Sequence, residues 1–71
     1  MIKVHEYYYD SRIHGYCTRI AYISPEDIST VYEQYSLHYD CKSRITLRTE
    51  CGRRFECQET VNEIMKQIQE I

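Results

Sequence analysis

Hydrophobic and polar positions along this chain change period several times. IKVHEYYY, at residues 2–9, is β-branched and aromatic, and reads as a strand. Strand alternation puts Val4, Glu6 and Tyr8 on one face and His5, Tyr7 and Tyr9 on the other. A polar turn, DSRIHG, follows, with Gly15 closing it where a positive φ is cheap. A second strand then runs from Tyr16 to Ile23.

SRITLRTECGRRFECQ reads as another hairpin. A three-residue loop of Glu50, Cys51 and Gly52, with Gly52 left-handed, sets Leu47 opposite Phe55, Ile45 opposite Cys57 and Thr49 opposite Arg53. The reverse face then pairs Arg48 with Arg54 and Thr46 with Glu56. A two-residue Cys-Gly loop would set Leu47 against Glu56 and mix the faces, so the longer loop is preferred. At the C-terminus, Thr60 caps a helix and Glu63 completes a capping box. Val61, Ile64, Met65, Ile68 and Ile71 form one apolar stripe at helical spacing, as in a helix laid across a sheet.

The middle segment supports two readings. SPEDISTVYEQY has a helix-start signal at Ser24, Pro25 and Asp27, and helical spacing of Ile28, Val31, Tyr32 and Tyr35. ISTVY is also rich in the β-branched and aromatic residues that favour strands. A helix here gives ββαββα. An extended segment gives an α+β fold: a β-hairpin, a middle strand, a second β-hairpin and a C-terminal amphipathic helix on one face.

The blocks MIKV, YISPEDISTVYE, ITLRTECG and FECQETVNEI, in this order, resemble the FlbD family of small flagellar proteins, the SwrD type. Here the first hairpin is longer than in that pattern, YSLHYDCK lengthens the middle connection, and the second hairpin loop is enlarged. The resemblance implies that the segment after the Pro-acidic turn, Ile28 to Tyr35, is a strand, and this favours the α+β fold. It implies a scaffold and not a flagellar role, because small folds host unrelated functions.

Seventy-one residues make a single domain, 1–71, with a thin margin over conformational entropy. Dimerisation, a metal or a disulfide are the usual supplements at this size. A net charge of −2 argues against a whole-molecule nucleic-acid binder. MIKVHEYYYD lacks the apolar core of a signal peptide, and no apolar run reaches membrane-spanning length, so the chain reads as cytoplasmic with reduced thiols. Cys51 and Cys57 lie about 20 Å apart along the second hairpin, too far for a disulfide. Cys41 and Cys51 sit at opposite ends of it, which leaves Cys17 as the one thiol able to find a partner.

Candidate chemistry falls in three places. HGYC and HYDC supply His14, Cys17, His38 and Cys41, a zinc-like count and type of ligands; the default reading is independent core and surface residues. Arg44, Arg48, Arg53 and Arg54 cluster on or near one hairpin face, as an anion-binding surface or as a solvated, screened face. Eight tyrosines against one Phe and no Trp put a hydroxyl on nearly every ring, which suits contact surfaces that are half wet. No acid, base and nucleophile fall together, so the chain reads as non-enzymatic. The resulting expectation is a small interaction or regulatory protein of bacterial or phage type. It binds a partner protein through Tyr7, Tyr9, Tyr16, Arg44, Arg48, Arg53 and Arg54, with a homodimer as one form. The alternatives are binding of single-stranded nucleic acid or another anion through the arginines, and a small zinc-stabilised domain.

Overall fold

The structure, a computed structural model, describes residues 1–36, 39–48 and 52–70. Among these residues five strands form one antiparallel sheet, and a C-terminal helix packs on it. The strands are β1 (Ile2–Asp10), β2 (Gly15–Ile23), β3 (Ile28–Glu33), β4 (Ser43–Leu47) and β5 (Arg54–Cys57), and the helix is α1 (Val61–Gln69). Their spatial order is β2-β1-β5-β4-β3, so the first hairpin joins the rest through the β1–β5 contact. The fold is α+β, and the ββαββα alternative fails because residues 28–33 are extended.

A bulge explains why β3 resembles a helix in sequence. Ile28 pairs with Leu47 and Val31 with Ile45, although Ile28 and Val31 are three positions apart and Leu47 and Ile45 only two. The register slips between Ile28 and Thr30, so Ser29 is the extra residue. An i, i+3 spacing thereby reaches one sheet face. Pro25–Asp27 forms a single 3₁₀ turn instead of starting an α-helix, and Ser24 makes no side-chain cap.

The second hairpin is shifted by two residues from the expected pairing. Ile45 lies opposite Phe55, Ser43 opposite Cys57, Thr46 opposite Arg54 and Arg44 opposite Glu56. The Leu47 N–H donates to the Arg53 carbonyl at 2.8 Å, so the connection runs over residues 48–52. A shift of two conserves the faces, and Leu47 (7 % exposed) and Phe55 (6 %) still enter the interior. The longer connection also removes the Arg48–Arg54 opposition and gives Arg44 a carboxylate across the strand. Gly52 is left-handed (φ 77°), as expected, whereas Thr49, Glu50 and Cys51 lie outside the described residues. In the first hairpin the left-handed residue is His14 (φ 52°) and not Gly15. Asp10 closes that turn by accepting from the Arg12 N–H at 2.9 Å.

The interior lies between the sheet and α1: Ile2, Val4, Ile23, Ile45, Leu47, Phe55, Cys57 and Ile64, with Ala21, Ile28, Val31 and Ile68 against them. Thr60 Oγ1 accepts from the Glu63 N–H at 3.1 Å, the expected cap. The stripe is buried at Ile64, half-buried at Val61 and Ile68 and exposed at Met65; Ile71 lies outside the described residues. Gln67 fixes the helix along β1: its amide accepts from the Lys3 N–H and donates to the Lys3 carbonyl, each at 2.8 Å. No helix among the described residues is long and apolar enough to cross a membrane.

Candidate protein-interaction face

The helix covers one side of the sheet and leaves the other open. Alternation along β1 sends Ile2, Val4 and Glu6 toward the helix and Lys3, His5, Tyr7 and Tyr9 to the open side. Across the β1–β2 ladder, Tyr9 pairs with Tyr16, Tyr7 with Thr18 and His5 with Ile20, all on that open side. Tyr39, from the connection between β3 and β4, lies over the same face.

These rings form one continuous cluster. Tyr7 and Tyr39 have centroids 4.8 Å apart, Tyr39 stacks on Tyr16 at 4.3 Å, and Tyr16 meets Tyr9 edge-on at 5.6 Å. Such offset and edge contacts suit the ring quadrupole. The Tyr39 hydroxyl donates to the Glu56 carboxylate, which also receives Arg44 Nη2 at 3.4 Å. Arg44 Nη1 in turn donates to the Tyr32 hydroxyl at 3.3 Å, and Arg44 Nε is buried with no hydrogen-bond partner. Burial, then the adjacent Glu56 carboxylate, raises the Tyr39 hydroxyl above the ordinary phenol range. Tyr7 is raised by burial first and by the Asp40 charge second. Both rings therefore remain neutral donors near pH 7.

Of the expected contact residues, Tyr7, Tyr9 and Tyr16 come together. The arginines do not form one patch. Arg44 is engaged with Glu56 and Tyr32. Arg48 and Arg54 are exposed, and Arg48 Nε donates to the Ile28 carbonyl at 3.1 Å. Arg53 turns to the helix side, where its guanidinium lies 4.5 Å from the Phe55 ring centre and 3.5 Å from Glu6. Arg53 shares its parity with the inward-facing Phe55 in the expected register and in the observed one, so alternation alone puts it on that side.

Two groups escaped sequence reasoning. Tyr39 sits in a stretch with no periodicity, so only the tyrosine-rich composition hinted at it. Glu6 lies in an apolar alternation yet is buried, with Arg19 Nε 3.0 Å away and Arg53 on its other oxygen. A buried carboxylate needs such partners, and an arginine thirteen residues on across a long hairpin was the available signal.

Among the candidate metal ligands, His38 lies outside the described residues. His14 is exposed at the hairpin turn, and Cys17 faces the helix side opposite Tyr8. Cys41 is buried, its thiol donating to the Gln34 and Ser43 carbonyls at 3.3 and 3.4 Å. Burial first, and Glu56 second, raise its pKa. Among the described residues, no three His, Cys, Asp or Glu side chains come together as a metal would require. Cys17, Cys41 and Cys57 are free. A groove of about 390 Å³ between β3 and α1 is lined by Pro25, Ile28, Ser29, Thr30, Val31, Met65 and Ile68, without a titratable group.

The fold and this face define a small α+β domain that shields one side of its sheet with a helix and presents tyrosines on the other. No family model, curated protein or solved structure matches the chain.

Proposed function

We propose that this protein is a non-enzymatic interaction or regulatory protein that binds a partner protein through the open face of its long hairpin. Tyr7, Tyr9 and Tyr16 are the contact residues, with Tyr39 packed across Tyr7 and Tyr16 and Arg44, Arg48 and Arg54 at the flank. The observation that carries this reading is the ring cluster itself, four tyrosines linked ring to ring from Tyr7 through Tyr39 and Tyr16 to Tyr9, with Tyr9 and Tyr16 half exposed. Rings fixed by one another present a large amphipathic area at low entropic cost, which is how tyrosine acts at binding hot spots.

The test is quantitative capture from the cells that make the protein, followed by calorimetric titration of the recovered partner. Tyr7→Ala combined with Tyr9→Ala is expected to weaken binding at least tenfold while the circular dichroism of the sheet persists. Unchanged affinity in a folded double variant removes the reading. A second reading, single-stranded nucleic acid, draws on the exposed Arg48 and Arg54 together with the exposed rings of Tyr9 and Tyr16. It requires an affinity for labelled oligonucleotide that falls steeply with salt; absence of binding at low salt eliminates it.

A further inference from the structure

The two edges of the sheet are β2 and β3, and only one of them is protected. β3 has six residues, carries the bulge at Ser29, follows the Pro25 turn and is flanked by α1 along the Met65–Ile68 groove. These are the devices by which proteins blunt an edge. β2 has nine residues and an unbroken register, from Ile2 opposite Ile23 to Asp10 opposite Gly15. It contains no proline and no lysine. Its one charged residue, Arg19, is held by Glu6 at 3.0 Å and lies 4.9 Å from the Tyr8 ring centre. On the open side it exposes Tyr16 (49 %), Ile20 (52 %) and Tyr22 (63 %).

We propose that the free edge of β2 pairs antiparallel with β2 of a second copy, so that the two sheets become continuous. The occupant is a second copy because the strand complements itself. A twofold axis normal to the sheet keeps open face with open face only when paired residues share parity. The register centred on Arg19 uses the whole strand: Gly15 opposite Ile23, Tyr16 opposite Tyr22, Cys17 opposite Ala21 and Thr18 opposite Ile20. Every large exposed side chain of the strand's open side then has a cross-strand neighbour. Arg19 meets its own copy, a repulsive pairing for bare charges, but each guanidinium already carries the Glu6 carboxylate of its own chain. One strand from each copy makes a small interface, so the dimer is reversible.

The inference uses the backbone edge of β2 and not Tyr7 or Tyr9, and it is tested apart from partner binding. Sedimentation of the reduced protein across a micromolar-to-millimolar series is expected to show a monomer–dimer equilibrium; a monomer throughout overturns the proposal. Thr18→Lys with Ile20→Lys changes two exposed positions and sets lysine against lysine across the axis. This variant is expected to remain folded and monomeric, and a dimer as strong as wild type overturns the proposal. Ala21→Cys reads the register: the introduced thiol lies about 13 Å along the strand from Cys17 of its own chain, beyond disulfide reach, but opposite Cys17 of the other. Mild oxidation is expected to give a covalent dimer, linked between positions 17 and 21 by peptide mapping and absent when Cys17→Ser is added. A dimer formed equally with Cys17→Ser, or linked elsewhere, overturns the register. Loss of self-association with retained partner capture, or the converse, distinguishes failure of the edge from failure of the tyrosine face.

Discussion

The Cys57 thiol sets a limit on stability at alkaline pH. It is fully buried in the core on the helix side of β5, and burial, with lesser contributions from Glu59 and Cys41, pushes its pKa from 9.0 to about 12. The unfolded chain loses this proton near its ordinary value, whereas the folded chain retains it. Between pH 9 and 12 the native state therefore binds more protons, and stability falls as pH rises. The contribution is fully present below pH 9. At pH 10.5 the unfolded thiol is about 1.5 units past its pKa, which costs the fold about 2 kcal/mol. A domain of this length has roughly 4–11 kcal/mol in total, so the loss is a substantial part of it. Tyr39, Tyr7 and Cys41 are shifted in the same direction and add to the decline. Urea unfolding in reductant, followed by circular dichroism at pH 8 and pH 10.5, measures the effect. With a slope near 1 kcal/mol per molar urea, the wild-type midpoint is expected to fall by about 2 M. Cys57→Ala has its own baseline stability but no thiol to ionise there, so its midpoint is expected to fall much less. If wild type and Cys57→Ala lose the same amount between the two pH values, the buried-thiol argument is wrong.

Two further substitutions test how the helix is attached. Ile64→Ala empties a fully buried site and is expected to cost about 3 kcal/mol, a drop of roughly 12–24 °C in Tm, while Met65→Ala, one residue on but exposed, costs well under 1 kcal/mol; equal losses in thermal scans would mean the helix packs on another face. Thr60→Ala leaves the Glu63 N–H without its side-chain acceptor and is expected to cost about 1 kcal/mol by urea unfolding, with Thr60→Ser restoring most of it.

How far the sequence discloses this structure depends on the kind of signal. Period and capping are local, and they located the strands of both hairpins and the helix after Thr60; at Ile28 the same signals suited a helix, and β-branched content with the family resemblance favoured the strand. Register is less local. Pairing Ile45 with Phe55 or Leu47 with Phe55 buries the same side chains, so parity cannot choose between them, and the choice rests on the connection and on Arg44 reaching Glu56. The first turn shows the limit of composition: Gly15 looked like the left-handed residue, yet Asp10 accepting from Arg12 shapes the turn so that His14 takes that conformation. The ring cluster was only partly legible. Tyr9 and Tyr16 follow from the hairpin, whereas Tyr39 arrives from a connection whose path is set by tertiary contacts. Arg53 is on the helix side because alternation puts it on the face of Phe55 in either register, which its place beside the loop obscured.

The unequal lengths of the strands connect the fold to its surfaces. β1 pairs with β2 over nine residues but with β5 only at Glu6 and Cys57. Beyond Glu6 the antiparallel register would continue with residues 56 to 54, but no pairing forms there, so residues 7–10 are tied to the sheet through β2 alone. The apolar layer ends there in Glu6, Arg19 and Arg53, which close it with charge instead of side-chain volume. A two-stranded ribbon in water is marginal without packing on at least one face. Tyr39 supplies that packing by lying across Tyr7 and Tyr16 and anchoring to Glu56 on β5. The stack that makes the open face attractive to a partner is therefore also what keeps the overhang ordered. Hydrogen exchange should distinguish these roles, because Tyr39→Ala loosens the amides of residues 7–18, whereas an exposed ring such as Tyr9 can be removed with those amides still protected.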